Sequence, residues 1–372
     1  MSALNKNSKA STALDIAIIG GGSAGISLAT GLANLRAAVV EPKMPEERDC
    51  SWALWANQDQ LQKLAGSIKG SWKQWRLVDH NQEIIHCSED YQYASLSSAA
   101  YITACEQNLA KGVELIRAAA EDIVAIENGG CFSAAGKHYR ATQLYDSRPP
   151  ALTENSLRQH FVGWDIRTKT SIANPDIVTL MDFRVDQSRG LHFIYALPFS
   201  DRRLLIESTM ISTKLEDRDW YRQAIKHWLH QNNIEIDQTL GEEAGVIPMQ
   251  SLPPLNNDIA TIGTASGAVR LSSGYAFSTI QQQTSLLAER IRAGQYEVPF
   301  PMSKQLMRMD KLFNRVLVAE PQLGVAMMMG TAKALSANGF ARFMLGSAHL
   351  SDWARVIMAM PKIPFLKQLF TS

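Results

Sequence analysis

A glycine-rich run between two short apolar segments constrains this chain more than any other feature of its 372 residues. The apolar run Asp15–Ile19 is typical of a buried parallel strand, and Gly20-Gly-Gly-Ser-Ala-Gly25 follows it directly. An apolar helical pattern comes next, and residues 37–40 then form a second predicted strand that ends at Glu41. The order strand, glycine turn, helix, strand and acid predicts a Rossmann unit that binds a dinucleotide.

Each part of this motif has a physical reason. Gly20 permits the tight turn, Gly22 lets the backbone approach the pyrophosphate, and Gly25 allows the helix to pack closely on the strand. The first N–H groups of the helix face the phosphates. Glu41 stands where a carboxylate accepts hydrogen bonds from ribose hydroxyls. The motif alone does not separate FAD from NAD. The residues expected to bind the cofactor here are Gly20, Gly22, Ser23, Ala24, Gly25 and Glu41.

The composition is that of an ordinary globular protein, with 46% hydrophobic and 20% charged residues. The net charge of +1 gives no indication of a nucleic-acid partner. The four cysteines form no CxxC pair, which disfavours a zinc site and predicts free thiols in a reducing compartment. Residues 1–14 are polar and predict a disordered leader rather than a secretory signal, so we expect a cytoplasmic protein. No stretch reaches the roughly 18 uninterrupted apolar residues of a transmembrane helix.

Two later segments indicate that the chain returns to the cofactor. Asp146-Ser-Arg-Pro-Pro150 follows a predicted strand, at a position typical of the point where an FAD-binding domain is re-entered. A simple turn explains these residues equally well, since Asp, Ser and Pro favour turns. Small residues from Gly263 to Gly267, and then Gly274-Tyr275, precede a predicted helix and suit close approach to a flavin ring. The residues added to the expected cofactor contacts are Asp146, Gly263, Gly274 and Tyr275.

The remaining pattern divides the chain into three parts. Strand-like segments follow one another at short spacing between residues 159 and 210, which predicts an antiparallel sheet. We assign residues 151–254 to a β-rich substrate domain, residues 15–150 and 255–295 to a discontinuous FAD-binding domain, and residues 296–372 to a helical C-terminal region. The predicted fold class is therefore α/β: a Rossmann-type FAD-binding domain, an antiparallel β-sheet substrate domain and C-terminal helices.

Short motifs along most of the chain resemble those of the lycopene cyclases of the bacterial and plant β-cyclase type. Each match is short, but their order and spacing are specific. Besides the fingerprint with Glu41, the matching segments are Asp146-Ser-Arg-Pro149, Gln159-His-Phe-Val-Gly-Trp164, Met181-Asp-Phe-Arg184, Phe193-Ile-Tyr-Ala-Leu-Pro-Phe199, Leu205-Ile-Glu-Ser-Thr209, Glu242-Glu-Ala-Gly-Val-Ile-Pro248, Ser273-Gly-Tyr-Ala-Phe277 and Ala359-Met-Pro-Lys-Ile-Pro-Phe365.

The resemblance implies redox-neutral cyclisation of a lipid-soluble carotene, lycopene. In such enzymes an acid protonates the terminal double bond, and a neighbouring double bond attacks the resulting tertiary carbocation. Loss of a ring proton then gives the β-ionone ring. The resemblance also implies FAD as the cofactor, in its reduced form, with NAD(P)H as the electron donor. The chain is therefore expected to be an isomerase or intramolecular lyase of carotenoid biosynthesis.

Glu207 is the expected acid. It follows Leu204, Leu205 and Ile206, and apolar surroundings raise the pKa of a carboxyl group, which keeps it protonated. By resemblance it falls on the first glutamate of the plant-type FLEET motif, whereas Ser208 replaces the second. The reduced flavin is the rival proton donor.

Three further candidate catalytic residues, Glu243, Asp182 and Arg184, rest on the resemblance. An ordinary ion pair on a strand surface explains Asp182 and Arg184 equally well. Glu243 and its neighbour Glu242 are either a solvated pair or include a carboxylate that faces the polyene. Aromatic residues offer cation–π stabilisation of a carbocation, although in a strand they are more often sheet core. The aromatic candidates are Phe193, Tyr195 and Tyr275.

A hydrocarbon substrate dissolved in lipid requires the protein to reach the bilayer. The C-terminal region has apolar residues at helical spacing with lysines after them, which predicts a peripheral membrane-binding face. An amphipathic helix packed on the protein's own core explains the pattern equally well. The residues of this predicted face are Phe340, Phe343, Met344, Trp353, Ile357 and Met360, followed by Lys362 and Lys367.

Two other functions fit parts of the sequence. The first is an FAD-dependent oxidoreductase on the same fold, either a monooxygenase or a reductase of prenyl or carotenoid chains. Aromatic hydroxylases usually have Gly-Asp in the second flavin-contacting segment, whereas this chain has Gly263-Thr264. The second is a non-catalytic carotenoid- or flavin-binding protein, because a fold does not fix a function.

Overall fold

The computed structural model describes residues 11–149, 152–251, 253, 255 and 258–370. The strands formed by these residues are β1 Thr12–Ile19, β2 Ala37–Val40, β3 Ser51–Ala56, β4 Ile68–Trp72, β5 Gln74–Val78, β6 Glu83–Cys87, β7 Gln92–Ser97, β8 Val113–Ile116, β9 Glu121–Ile126, β10 Gly129–Ala134, β11 Lys137–Asp146, β12 Arg158–Thr168, β13 Ile177–Asp182, β14 Leu191–Ser200, β15 Arg203–Ser212, β16 Ile236–Pro248 and β17 Ala260–Thr261. The α-helices are α1 Ser23–Thr30, α2 Gln58–Lys63, α3 Ser98–Gln107, α4 Arg218–Gln231, α5 Phe277–Arg292, α6 Lys304–Ala319, α7 Gly324–Ala334, α8 Ala337–Leu345, α9 Leu350–Ala359 and α10 Lys362–Phe370.

The first sheet is the predicted Rossmann unit. Its strand order is β8-β2-β1-β11-β10-β9, and β17 also pairs with β11. β1 is parallel to β2 and β11, and its apolar residues are buried because α1 and α5 cover it. β1 begins at Thr12, so residues 12–14 of the predicted leader are already strand, whereas residues 1–10 lie outside the described part of the chain.

The second sheet has the order β16-β12-β15-β14-β13-β5-β6. Its pairs are antiparallel, as predicted, except that β13 and β5 run parallel. β5 and β6 come from residues 74–87, inside the segment assigned to the cofactor domain, so this sheet takes strands from both sides of the sequence division. A third, smaller sheet has the order β3-β7-β4. The α/β fold with a C-terminal helical region is confirmed.

The two faces of the second sheet have different surroundings. Leu204 and Ile206 of β15 pack on Ile225 and Trp228 of α4. Leu205, which lies between them, faces the main core, to which β3, β7 and the C-terminal helices also contribute. Successive side chains of a strand alternate between its two faces. Even-numbered residues of β15 therefore face α4, and odd-numbered residues face this core.

The predicted membrane-binding face is wrong for Phe340, Met344 and Met360, which are buried, whereas Ile357 of the same face is 49% exposed. Phe340 is only 1% exposed and packs edge-on against Trp55 and His86, while Met344 and Met360 also belong to the main core. These residues repeat at helical spacing because α8 packs on β3 and, through Phe340, on β5 and β6, while α9 packs on α7. A helix face that packs on protein is as apolar as one that contacts lipid. Among the described residues, no helix has the length and hydropathy of a membrane span.

Candidate active site

The glycine-rich turn has the geometry that the sequence predicts. Gly20 has a φ of +95°, in the left-handed region that favours glycine. A Cβ at Gly25 would lie 2.0 Å from the carbonyl oxygen of Gly20, so α1 packs on the turn more closely than a side chain allows. A Cβ at Gly22 would meet no described atom within 4 Å. The turn therefore leaves space in front of Gly22, where the pyrophosphate of a dinucleotide would lie.

Glu41 follows β2 beside this turn, and backbone groups fix its carboxylate. Its Oε2 accepts the N–H of Gly21 at 2.9 Å, and its Oε1 accepts the N–H of Lys43 at 3.0 Å. Arg48 lies 3.2 Å from Oε2 and also donates to the carbonyl oxygen of Gly21. The carboxylate is therefore held rigidly at the edge of the sheet, and its bonding to ribose hydroxyls stays a prediction.

The later glycine-containing segment reaches the same edge of the sheet. Asp146 ends β11, and its register partner on β17 is Thr261. Its carboxylate accepts three hydrogen bonds from the Arg148 guanidinium. Gly263 has a φ of +71°, and a Cβ there would lie 2.7 Å from the Cβ of Ala24 in the first turn of α1. The structure thus brings Asp146 and Gly263 to the fingerprint, as the sequence predicts for a re-entered cofactor domain.

The two helices at this edge begin side by side. α1 begins at Ser23 without a side-chain cap, so the N–H groups of its first turn are available to an anionic ligand. Gln281 of α5 donates to the hydroxyl of Ser27 at 3.0 Å and of Ser23 at 3.4 Å. Gly274, with a φ of +74°, and Tyr275 lie just before α5. Together with the open space at the turn, this arrangement fits a dinucleotide cofactor such as FAD.

Glu207 and Glu243 lie on either side of Gly163 in the second sheet. Gly163 of β12 is the register partner of Glu207 in β15 and of Glu243 in β16. On the other side of β15, Tyr195 of β14 is the register partner of Glu207. A Cβ at Gly163 would lie 2.6 Å from the Cγ of Glu207. The missing side chain therefore gives the two carboxyl groups room to interact across the central strand.

This carboxyl pair is withdrawn from water. Glu207 is 7% exposed. Burial raises the pKa of the Glu207 carboxyl well above its usual range, and the Glu243 carboxyl raises that pKa further, because two adjacent carboxylates repel each other. The amine of Lys69, 2.9 Å from the hydroxyl of Ser51, opposes this rise through its positive charge. Glu207 therefore keeps its proton to higher pH than an exposed carboxyl does.

Three tyrosine hydroxyls connect the cofactor side of the site to the carboxyl pair. The hydroxyl of Tyr93 lies 2.8 Å from that of Tyr195 and 2.9 Å from that of Tyr275. Desolvation raises the pKa of all three phenols, so they are neutral. Trp55 packs edge-on against Tyr93 and Tyr275. The site thus places aromatic rings and neutral hydroxyls beside a buried acid.

Asp182 and Arg184 are not brought to the carboxyl pair. Asp182 is fully buried on the α4 face of the sheet, where its carboxylate accepts the indole N–H of Trp228 at 2.8 Å. It also pairs with the exposed Arg184 at 2.7 Å. Ser208, at the second position of the FLEET-like motif, faces the same way, because its hydroxyl lies 2.9 Å from Nε2 of the buried His192.

Glu242 and Glu243 have different surroundings although they are adjacent in the sequence. Glu242 is exposed, and its hydrogen bonds with Arg222 lower its pKa to about 2. Glu243 points to the opposite face, where its Oε2 accepts the N–H of Ser51 at 2.9 Å. Strand alternation therefore selects Glu243 as the partner of Glu207. Within the described ranges, no cluster of His, Cys, Asp and Glu side chains suits a metal ion.

Several residues of the site had no prediction from the sequence. Gly163 carries a usable signal, because glycine inside a strand indicates close approach of another group. No comparable sequence signal marks Tyr93, Lys69 and Trp55. Each comes from the first hundred residues and reaches the site only through the packing of β3, β4 and β7 on the second sheet.

Sequence comparison identifies the family of this chain. The family model described as lycopene cyclase protein matches residues 15–370. A lycopene beta-cyclase of Pantoea ananas is 27% identical over 226 residues, which are 57% of this chain and 58% of that protein. A lycopene beta-cyclase of Pseudescherichia vulneris is 24% identical over 292 residues, 73% of each chain. The chain therefore spans little more than half the length of the first relative.

Solved structures show the same fold at low identity. A geranylgeranyl bacteriochlorophyll reductase-like protein from Thermoplasma acidophilum superposes with a TM-score of 0.64 at 14% identity, covering 97% of this chain and 99% of that one. A halogenase in complex with FAD gives a TM-score of 0.56 at 11% identity, covering 95% and 87%. These likenesses concern the fold alone. The match of the family model over nearly the whole chain shows that this protein belongs to the lycopene cyclase family.

Proposed function

We propose that this protein cyclises the ends of lycopene to β-ionone rings without net redox change. The observation that carries this proposal is the buried Glu207–Glu243 pair across Gly163, next to three hydrogen-bonded tyrosines, in a chain of the lycopene cyclase family. An alkene is a poor base, so its protonation requires a positioned acid that water does not neutralise. A carboxyl whose pKa is raised by burial and by a second carboxyl meets that requirement.

Glu207 gives its proton to the terminal double bond of the substrate. The tertiary carbocation that results is attacked by a neighbouring double bond, which closes the six-membered ring. The Glu207 carboxylate then takes a proton from the ring, which leaves the β-end group and restores the acid, so the atoms and electrons of substrate and product are the same. Oε1 of Glu243 is buried and has no hydrogen-bond partner among the described residues. We propose that it accepts a hydrogen bond from the protonated Glu207 carboxyl before proton transfer.

The aromatic rings around the pair support the cation. Tyr195 is the register partner of Glu207 on β14, and the hydroxyl of Tyr93 joins Tyr195 to Tyr275. The face of an aromatic ring attracts a positive charge, most strongly where water is excluded. The carboxylate that Glu207 becomes after proton transfer adds a negative charge close to the ring that forms.

The fingerprint turn, Glu41, Asp146 and Gly263 would hold FAD. When bound in its reduced form, FAD would supply negative charge near the carbocation. NAD(P)H is proposed as the donor that keeps the flavin reduced. Redox equivalents are not consumed by ring formation, so anaerobic turnover should proceed without NAD(P)H oxidation in proportion to product.

Expression in a lycopene-accumulating bacterial host tests this function. The wild-type chain should convert lycopene to cyclised carotene of unchanged mass, and chromatography with mass spectrometry would measure both. A product two or more mass units heavier, or one that contains oxygen, would instead indicate a reductase or a monooxygenase on this fold. Pigment that binds but never changes would indicate a carotenoid-binding protein.

A further inference from the structure

The last two helices expose large apolar side chains. On α10, Ile363 is 68% and Phe370 85% exposed, and Leu366 lies between them with half its surface exposed. Their spacing of three, four and seven residues places them on one face of the helix. On α9, Leu350 and Met358 are also largely exposed. We call these five residues, Leu350, Met358, Ile363, Leu366 and Phe370, the C-terminal apolar surface.

This surface belongs to an ordered part of the fold. α10 packs on α6, and Phe365, on the other side of α10, packs against the main core. The amine of Lys362 donates to the carbonyl oxygens of Met358 and Met360, which ties the end of α9 to the start of α10. The exposed side chains are therefore presented by two anchored helices. Exposed apolar patches of this kind mark interaction sites.

The charge of the same region identifies the partner. The whole chain has a net charge of +1, yet residues 301–370 contain nine lysines and arginines against three acidic residues. Two of those acids, Asp310 and Asp352, are buried in ion pairs with Arg270 and Arg342. On α6, which α10 contacts, three exposed basic residues follow one another at helical spacing. They are Lys304, Arg308 and Lys311.

We propose that the C-terminal apolar surface inserts into the interface of an anionic lipid bilayer, with the basic residues of α6 beside it. Apolar side chains next to basic ones are what an anionic membrane surface binds, and each basic residue near such a surface strengthens binding roughly fivefold. This inference goes beyond the proposed function, which needs only a source of lycopene. It places the attachment on the exposed side chains of α9 and α10, whereas the sequence pattern also included Phe340 and Met344 of α8, which are buried.

Flotation of the purified full-length protein with vesicles tests the proposal. Wild type should float with vesicles of phosphatidylcholine and 30% phosphatidylglycerol, and tenfold less with phosphatidylcholine alone. Changing Ile363, Leu366 and Phe370 to Ser should lower vesicle affinity by about tenfold or more, because the inserted apolar area is lost. The matched control changes three exposed apolar residues elsewhere, Ile85, Val124 and Leu215, to Ser and should bind like wild type.

A second variant separates charge from apolar contact. Changing Lys304, Arg308 and Lys311 to Gln should weaken binding to the anionic vesicles and remove most of the difference between the two lipid mixtures. Equal flotation of the wild type and both variants would overturn the proposal. A second result would also overturn it: wild type fails to float and, in sedimentation without lipid, forms an oligomer that the changes at Ile363, Leu366 and Phe370 dissociate.

The outcome is independent of the cyclase assignment. Activity on lycopene dispersed in detergent reports the proposed function without a bilayer. The Glu207→Gln variant should float like wild type although it is inactive. Failure of flotation with intact detergent activity would refute the membrane surface alone, and flotation without cyclisation by wild type would refute the proposed function alone.

Discussion

At the scale of single residues, the carboxyl of Glu207 is the most consequential group. A buried carboxyl without a close basic partner costs stability. Glu207→Gln keeps the shape and removes the transferable proton. We expect cyclisation to fall about a hundredfold or more, the size typical of losing a general acid, while the flavin content of the purified protein stays that of wild type.

The matched control for this change is Glu242→Gln. Glu242 is next to Glu243 in sequence but faces the other side of the sheet and is ionised by Arg222. Its loss should leave cyclisation within about twofold of wild type, since exposed ion pairs contribute little. Near wild-type activity of Glu207→Gln with reduced FAD would assign the proton donor elsewhere, to Glu243 or the flavin.

The raised pKa of Glu207 also predicts how stability depends on pH. The folded state holds this proton at pH values where the unfolded chain, near the ordinary value of 4.5, has lost it. The contribution of Glu207 to the free energy of unfolding should therefore be largest below that value and decrease as the pH rises toward the folded-state pKa. Urea unfolding at several pH values would measure this slope. It should be smaller in Glu207→Gln, and an unchanged slope would contradict the pKa shift.

Gly163 is predicted to control the approach of the two carboxyl groups. In Gly163→Ala the new Cβ would lie 2.6 Å from the Cγ of Glu207, so the Glu207 side chain must move away from Glu243. Activity should fall at least tenfold, and the alkaline limb of its pH profile should shift to lower pH, because Glu207 loses part of the influence that raises its pKa. Gly241→Ala, on an open stretch of β16, is the control and should change neither.

At the scale of elements, the turn between β1 and α1 separates cofactor binding from folding. A Cβ at Gly22 meets no described atom within 4 Å, whereas one at Gly25 meets the backbone of Gly20. Gly22→Val should therefore fold with a wild-type circular dichroism spectrum yet purify without FAD. Gly25→Ala should lose both stability and FAD. Stoichiometric flavin absorbance in Gly22→Val would refute the assignment of the turn, and Gly241→Val serves as the control.

At the scale of the whole molecule, a buried ion pair joins the cofactor segment to the C-terminal helices. Arg270 is 1% exposed, bonds Asp310 of α6 at 2.9 and 3.0 Å, and donates to the carbonyl oxygens of Phe343 and Met344. Asp310→Ala leaves that guanidinium buried and unpaired, which should lower the free energy of unfolding by about 3–5 kcal/mol. Denaturant titration would measure it.

The control for this prediction is an ion pair of the same residue types at the surface. Asp15 and Arg36 pair at 2.9 Å with much of both side chains exposed. Asp15→Ala should cost less than about 1 kcal/mol. Equal losses in the two variants would show that the Arg270–Asp310 pair does not hold the C-terminal helices to the cofactor segment.

The Rossmann unit can be predicted from the sequence alone, because its constraints are local. Gly20 needs a left-handed φ and Gly25 needs a missing Cβ, and both requirements are met within one turn of chain. The apolar run before Glu207 likewise predicted a buried carboxyl, because three consecutive apolar residues place part of a strand in the core whichever face is inward.

The side chains that surround the Glu207 carboxyl depend on the tertiary fold. Glu243, Tyr93 and Lys69 come from β16, β7 and the β4 strand, and only sheet order and the packing between sheets bring them to Glu207. The tertiary fold also decides which apolar helix faces are core. Phe340 and Ile363 both lie in amphipathic patterns, but α8 has the second sheet to pack on and the outer face of α10 does not. A helical period specifies that one face must be covered; the arrangement of the rest of the chain decides whether protein or another surface covers it.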